Sequence, residues 1–311
     1  MILSVSRRTD IPAFYSEWFI KRVREGYALV RNPINHHSVG KVSLDPSVVD
    51  CIVFWSKNPA PLFPYLSELN GKYKFYFQYT LNAYGNDIEP NLPSLDDRIS
   101  TFVTLSKMFG SDRVIWRYDP IVLTDNYSLE WHCREFAHLA DCLATYTSNC
   151  VFSFVDMYDK VIGNMKHLNL CPITVPKMIE LAKALQTIAV KKNIVLKTCS
   201  ENLDLSELGI VHSCCVDPPL ISSMLGYPIH AKKDPNQRSS CGCIESIDIG
   251  QYNTCRHGCK YCYANYSYSS VCANVQRHDP DSPLLLGQLE EGDKVTERKV
   301  KSLIDFQISM F

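Results

Sequence analysis

The sequence lacks the segments that would place the chain in a membrane or export it. No apolar run approaches the length of a bilayer span, and the apolar residues ahead of Arg7 and Arg8 are too few for a signal peptide. The net charge of −1 gives no overall attraction to nucleic acid or to an anionic membrane surface. We therefore expect a cytoplasmic protein with no membrane partner, in which any basic surface is local.

Disulfide bonds are disfavoured in a reducing cytosol, so the 14 cysteines are better interpreted as buried hydrophobes or as metal ligands. Six are scattered, mostly among apolar residues, as is typical of small buried side chains: Cys51, Cys133, Cys142, Cys150, Cys171 and Cys272. The other eight are crowded between residues 199 and 262. This crowding predicts metal binding.

The densest group is the loop Cys-Arg-His-Gly-Cys-Lys-Tyr-Cys, which places Cys255, Cys259 and Cys262 at spacings of four and three. Gly258 allows the loop to fold tightly between them. Three thiolates on a tight loop suit a 4Fe–4S cluster in which one iron has no protein ligand. The competing interpretation is a zinc site that takes His257 as its fourth ligand.

A C-x3-C-x2-C run with Tyr261 before the last cysteine resembles the cluster motif of the radical S-adenosylmethionine superfamily. Tyr263 and Ala264 extend the resemblance to its spore-photolyase-like branch. The chain as a whole resembles a bacterial family known as domain of unknown function 1848. That wider resemblance is carried by four stretches, residues 6–10, 54–59, 117–120 and 241–243.

The superfamily resemblance implies an enzyme. A reduced 4Fe–4S cluster would cleave S-adenosylmethionine to a 5′-deoxyadenosyl radical that acts on a substrate, with a flavodoxin or ferredoxin as electron donor. It also implies that Tyr261 contacts the adenine. The Gly-Gly-Glu motif of that superfamily is absent, because the sequence has no adjacent glycines. Its role would pass to strand-end groups such as Gln78, Asn82 or Ser153.

The alternative from another class is a non-catalytic iron–sulfur or zinc protein that serves electron transfer or nucleic-acid binding. Tyrosines and basic residues around the loop could stack on bases and neutralise phosphates. Binding of S-adenosylmethionine at the open iron would distinguish the enzyme from this alternative.

Strand-like and helix-like segments alternate between residues 51 and 198, which predicts an α/β protein with a parallel sheet. We expect a partly open, TIM-like β/α barrel of the radical S-adenosylmethionine type. In that fold the cluster loop follows the first barrel strand, whereas here residues 244–249 form an alternating strand late in the sequence. A circular permutation is therefore predicted, with residues 244–249 pairing beside residues 2–6.

Four segments follow from this prediction. Residues 1–202 form the barrel body, with a hairpin or inserted arm over residues 27–44, and residues 203–243 form a cysteine-rich insertion over the barrel mouth. Residues 244–275 supply the final strand, the cluster loop and a helix that could begin at Tyr261. Residues 276–311 form a tail packed outside, with a helix near residues 304–308.

Catalytic groups of parallel β/α barrels gather where the strands end. Arg7, Asp10, Arg117, Tyr118 and Asp119 follow or end predicted strands and are the catalytic candidates. The bases at these ends, with Lys197, favour an anionic guest such as a substrate phosphate or carboxylate, or the S-adenosylmethionine carboxylate. The alternative is that Arg117 pairs with Asp119 and Lys197 with Glu201 as structural ion pairs.

A second metal site is predicted from the remaining crowded cysteines. Cys199, one of Cys214 and Cys215, and the pair Cys241 and Cys243 supply four thiolates. They suit an auxiliary iron–sulfur cluster, and zinc is the competing ion because spacing alone does not select the metal.

Overall fold

A computed structural model describes residues 1–305 of the chain. Its strands are β1 (Ile2–Val5), β2 (Tyr27–Arg31), β3 (Ser38–Ser43), β4 (Cys51–Ser56), β5 (Phe75–Thr80), β6 (Val114–Ile121), β7 (Asn149–Phe154), β8 (Val195–Thr198), β9 (Val211–His212), β10 (Ile247–Asp248) and β11 (Lys294–Glu297). Its α-helices are α1 (Ile11–Phe14), α2 (Ser16–Glu25), α3 (Leu66–Lys72), α4 (Leu95–Phe109), α5 (Leu129–Leu143), α6 (Asp159–Asn164), α7 (Val175–Lys191), α8 (Pro218–Leu225) and α9 (Tyr268–Val275). No helix among these residues is long and apolar enough to cross a membrane.

Eight strands form one parallel sheet in the order β10-β1-β4-β5-β6-β7-β8-β9. The predicted parallel α/β architecture is therefore confirmed. The two-residue strands β9 and β10 are the edges, and no pairing between them closes a barrel within residues 1–305. The sheet is an open one.

The predicted pairing of the late strand with the first strand is also confirmed. Leu3 lies opposite Ile247, and Ser4 opposite Asp248. The Asp248 carboxylate accepts hydrogen bonds from the Ser4 hydroxyl at 2.6 Å and from the Arg7 backbone N–H at 2.7 Å. One carboxylate thus fastens the end of β1 to the strand that enters the cysteine loop.

The two faces of the sheet are covered differently. Alternate residues such as Phe54, Phe77 and Trp116 belong to a large core cluster with α2, α4, α5 and α7. The intervening residues, among them Ile115, pack in a second cluster with Ile221 of α8 and other insertion residues. We expect the insertion to lie over the barrel mouth, and the apolar residues of its helix α8 pack against the second face of the sheet.

Residues 27–44 do form an antiparallel hairpin, β2 with β3, and β11 adds a parallel third strand. Strand β11 was not predicted. The helix after the cysteine loop begins at Tyr268 rather than near Tyr261, with Ser267 as its N-cap. The helix predicted at residues 304–308 is not seen at Ile304, which forms a bridge with Ile229 instead. The rest of that prediction lies outside the described residues.

Candidate functional site

The loop of residues 255–262 leaves the carboxyl end of β10 and carries three thiols that influence one another electrostatically. Burial raises the pKa of Cys255 well above its ordinary value, and the thiols of Cys262 and Cys259 add to that rise. Burial likewise raises the pKa of Cys259 to about 12, although the Lys57 ammonium opposes the rise. Cys255 and Cys259 would therefore lose their protons readily only if a cationic centre were bound beside them.

His257, inside this loop, is turned toward Asp10. Its Nε2 lies 2.8 Å from the Asp10 carboxylate, and its ring packs on Phe14 with centroids 4.5 Å apart. Asp10 also accepts hydrogen bonds from the Ser56 hydroxyl and the Lys57 backbone N–H, both at 2.8 Å. Asp10 therefore holds the cysteine loop against the end of β4. His257 Nε2 is occupied, and Nδ1 is buried with no hydrogen-bond partner among residues 1–305.

Tyr261 sits over a buried charge cluster that sequence patterns did not indicate. Its hydroxyl donates to Glu89, which also accepts from the Lys57 ammonium at 2.7 Å, and Lys57 lies 5.4 Å from the Tyr261 ring. Burial would raise the pKa of Glu89, but Lys57 and Arg98 outweigh it and keep the pKa below its usual range. Glu89 lies in an irregular segment between β5 and α4, so neither periodicity nor a motif pointed to it.

The polar groups at the ends of β5, β6 and β7 gather around Arg117 and Asp119. These two side chains form the ion pair that was the structural alternative, with Arg117 Nε at 3.1 Å from Asp119. Ser153 donates to the same carboxylate, and Gln78 Oε1 accepts from Arg117 at 3.4 Å. Asn82 bonds both backbone groups of Asp119 at 3.0 Å. All three residues considered as replacements for the Gly-Gly-Glu motif are in contact with this ion pair.

Tyr118 lies on the opposite face of β6. Its hydroxyl is 2.8 Å from His132 Nδ1, in the core beneath α5, while His132 Nε2 is 2.9 Å from the Val122 carbonyl. Strand alternation separates Tyr118 from Arg117 and Asp119. The structure therefore does not bring this catalytic candidate to the strand-end group.

Lys197 and Glu201 do not form an ion pair in residues 1–305; Glu201 instead accepts from the Phe154 N–H at 2.7 Å. Lys197 lines a small cavity beneath α8. Glu201 lines a larger one of about 720 Å³ near the ends of β7 and β8, and burial raises the pKa of its carboxyl. Asp156 and Arg238 in the same wall are paired at 2.5 Å. This cavity lies beside Cys199 and is large enough for a small-molecule guest.

The second cysteine group converges from distant segments. Cys199 and Cys215 have their sulfurs 3.2 Å apart, and the Cys243 sulfur accepts from the Cys215 backbone N–H at 3.2 Å. Cys241 is buried in the same side-chain cluster. The Cys214 sulfur packs against Gly242, 2.7 Å from where a Cβ would stand. Within residues 1–305 no three His, Cys, Asp or Glu side chains are already arranged to hold a metal ion.

Arg7 lies between the two cysteine groups. Its backbone carbonyl accepts from the Tyr263 hydroxyl at 2.6 Å on the loop side. Its guanidinium stacks on Trp55 at 5.0 Å and reaches Asp234 at 3.4 Å on the insertion side. Burial lowers the pKa of Arg7, but the thiols of Cys243 and Cys215 and nearby carboxylates outweigh it. Its Nη2 is buried and has no acceptor in the described part of the chain.

Comparison with known proteins places the chain in a family. The model of the family described as "Domain of unknown function (DUF1848)" matches residues 2–264, so the chain belongs to this family. No curated protein matches its sequence. Among solved structures, a candidate alpha-L-fucosidase from Bacteroides thetaiotaomicron is 11% identical, covering 67% of this chain and 77% of its own, with a TM-score of 0.24. A similarity that low supports no argument about fold or activity.

Proposed function

We propose that the chain is a radical S-adenosylmethionine enzyme whose 4Fe–4S cluster is held by Cys255, Cys259 and Cys262. The observation that carries the proposal is a loop that follows a parallel strand and carries three thiols, with one buried and two half-buried, and that is held against the sheet by the contact between His257 Nε2 and Asp10. Three thiolates suit a cluster with an open iron, whereas a structural zinc site would want a fourth ligand. When bound and reduced, such a cluster supplies the electron that cleaves S-adenosylmethionine.

The chain's own residues would position that chemistry. The bonds from Asp10 to His257 and to the end of β4 fix the loop against the sheet. Tyr261, held by Glu89 and lying beside Lys57, presents a ring edge for the adenine in the manner the resemblance implies. These contacts orient the groups before any guest binds, which reduces the cost of ordering them.

The anionic guest that we propose has a specific donor in this site. Arg7 Nη2 is buried and unpaired within residues 1–305, and a buried guanidinium donor left without an acceptor is costly. A carboxylate or phosphate oxygen, on S-adenosylmethionine or on the substrate, would satisfy it. Arg117, by contrast, is already neutralised by Asp119.

The test is anaerobic reconstitution with iron and sulfide, followed by a strong reductant and S-adenosylmethionine. We expect about four irons in the loop cluster, a change in its electron paramagnetic resonance signal when S-adenosylmethionine is added, and release of 5′-deoxyadenosine. Cys259→Ala should lose the loop cluster and the product. Cys272→Ala, which removes an exposed thiol just beyond the loop, should keep both.

Two outcomes would contradict the proposal. A full cluster whose spectrum ignores S-adenosylmethionine and that yields no 5′-deoxyadenosine would instead favour an electron-transfer protein. Zinc in place of iron in the anaerobic preparation, lost in Cys259→Ala, would favour a structural metal loop.

A further inference from the structure

Cys215, Cys241 and Cys243 lie in one buried cluster against which Cys199 packs. The sulfurs of Cys199 and Cys215 are 3.2 Å apart, and the Cys243 sulfur accepts from the Cys215 N–H at 3.2 Å. We propose that these four residues hold a single tetrahedral metal ion of the zinc type, separate from the loop site. The proposal does not depend on radical chemistry at the loop, because it rests on a different set of residues.

The distance between the cysteine sulfurs distinguishes a single bound metal ion from a second iron–sulfur cluster. Four thiolates around one ion at ~2.3 Å lie ~3.8 Å from one another. In a cubane each cysteine binds a different iron, so the sulfurs are held farther apart. The observed separation of 3.2 Å between Cys199 and Cys215 needs a small expansion to reach the single-ion value, and a much larger one to admit a cubane.

As the side chains stand, the four sulfurs do not surround a common centre, since residues 1–305 contain no formed group of three metal ligands. Cys215, Cys241 and Cys243 are buried, so their thiols are shielded from solvent. Soft thiolates in a tetrahedral set select zinc among the common divalent ions.

The surroundings are those that a negatively charged thiolate centre requires. Arg117 Nη1 lies 2.9 Å from the Cys215 sulfur. The backbone N–H groups of Cys215 and Val216 donate to the Cys243 sulfur at 3.2 and 3.4 Å. Four thiolates on a divalent ion carry a net charge of −2, and hydrogen bonds from these N–H groups would stabilise the thiolates.

The ligand set joins the two ends of the sheet. Cys199 follows β8 and Cys215 follows β9 at one edge, while Cys241 and Cys243 precede β10 at the other. An ion here would link edges that no strand pairing joins in residues 1–305. Removal of the ion should therefore loosen the insertion from the sheet, because metal binding contributes directly to folding free energy.

The experiment uses the full chain with Cys255, Cys259 and Cys262 all changed to alanine, so that the loop cannot bind metal. We expect about one zinc ion per purified chain by mass spectrometry, and a cobalt-substituted form with thiolate charge-transfer absorption. In this background Cys243→Ser should lose the ion. Cys214→Ser, which alters the thiol next to Cys215 in the sequence, should keep the ion, because Cys214 is not one of the four proposed ligands.

Because Cys243→Ser could fail to fold, a second measurement uses the unaltered triple variant. Treatment with a zinc chelator should make Cys199 and Cys215 reactive to alkylation and lower the melting temperature. The proposal is overturned if the triple variant binds no metal. It is also overturned if that variant holds iron and acid-labile sulfide in equal amounts, or if Cys214→Ser releases the ion as readily as Cys243→Ser.

Discussion

The two cysteine groups are built in opposite ways. The loop collects its three thiols from residues 255–262 and orients them through Asp10 and Lys57, which belong to other elements. The second group collects four cysteines from three segments spread over residues 199–243, and these residues pack in one cluster in which the sulfurs of Cys199 and Cys215 are 3.2 Å apart. A site formed by one loop depends on residues of other elements to fix that loop, whereas a site formed by distant segments itself holds those segments together.

The largest effect we expect comes from Gly250→Ala. This change should disturb the packing of the cysteine loop region against β1 and leave the second cysteine group in place. A Cβ at residue 250 would stand 2.0 Å from the Ser6 hydroxyl and 2.6 Å from its Cβ, so β1 and the loop strand would have to separate. We expect a loss of about 3 kcal/mol or more in the free energy of unfolding, measured by urea denaturation.

Gly71→Ala is the matched control, since nothing lies within 4 Å of its Cβ position in α3. It should raise stability by about 1 kcal/mol, the usual difference between alanine and glycine in a helix. Equal stability of the two variants would show that β1 and residue 250 do not approach as described. Metal retained by the second group in Gly250→Ala would confirm that the two sites are independent.

A pH series should separate the acid sensitivity of the core from thiol chemistry at either site. Burial lowers the pKa of His132 from 6.5 to about 4. Between these values the unfolded chain binds a proton that the folded chain does not, so stability falls as the pH drops through this window and is level above it. The full effect is about 3 kcal/mol.

The measurement is urea denaturation between pH 7 and pH 4. His132→Gln should flatten the slope in this window, whereas His138→Gln, on the exposed side of the same helix, should leave it unchanged. An unchanged slope in His132→Gln would mean that other groups cause the acid loss.

The smallest effect concerns Arg7, the residue that contacts both regions. Arg7→Ala should weaken S-adenosylmethionine binding about tenfold or more, the value of one charge-assisted hydrogen bond, with the loop cluster retained. Titration calorimetry on the reconstituted protein measures it. Arg8→Ala, whose guanidinium stacks on Tyr252 at 5.3 Å, should bind normally. Equal affinities in all three proteins would remove Arg7 from the anion site.

The sequence predicted most of the structural features that depend on residues close together in the chain. The alternation of strands and helices predicted between residues 51 and 198 is confirmed. The pairing of residues 244–249 with β1 was predictable because a distinctive loop implies the strand before it.

What the sequence did not indicate depends on contacts between distant segments. Glu89 becomes a buried ion-pair partner only because Lys57, Arg98 and Tyr261 fold around it. Strand β9 and helix α8 were not predicted because their residues show little periodicity. Helix α8 forms against a sheet face that is built from other parts of the chain. The preference for Cys215 over Cys214 in the proposed second metal site likewise rests on the position of the Cys215 sulfur, 3.2 Å from that of Cys199.

The pairing of β10 with β1 has a consequence for biosynthesis. Ser4 and Asp248 are separated by 244 residues, and translation proceeds from the first to the second. Until β10 leaves the ribosome, β1 can pair only with β4, and its other edge stays open to any strand nearby. Both edges of β1 are therefore covered only after nearly the whole of the parallel sheet has been synthesised.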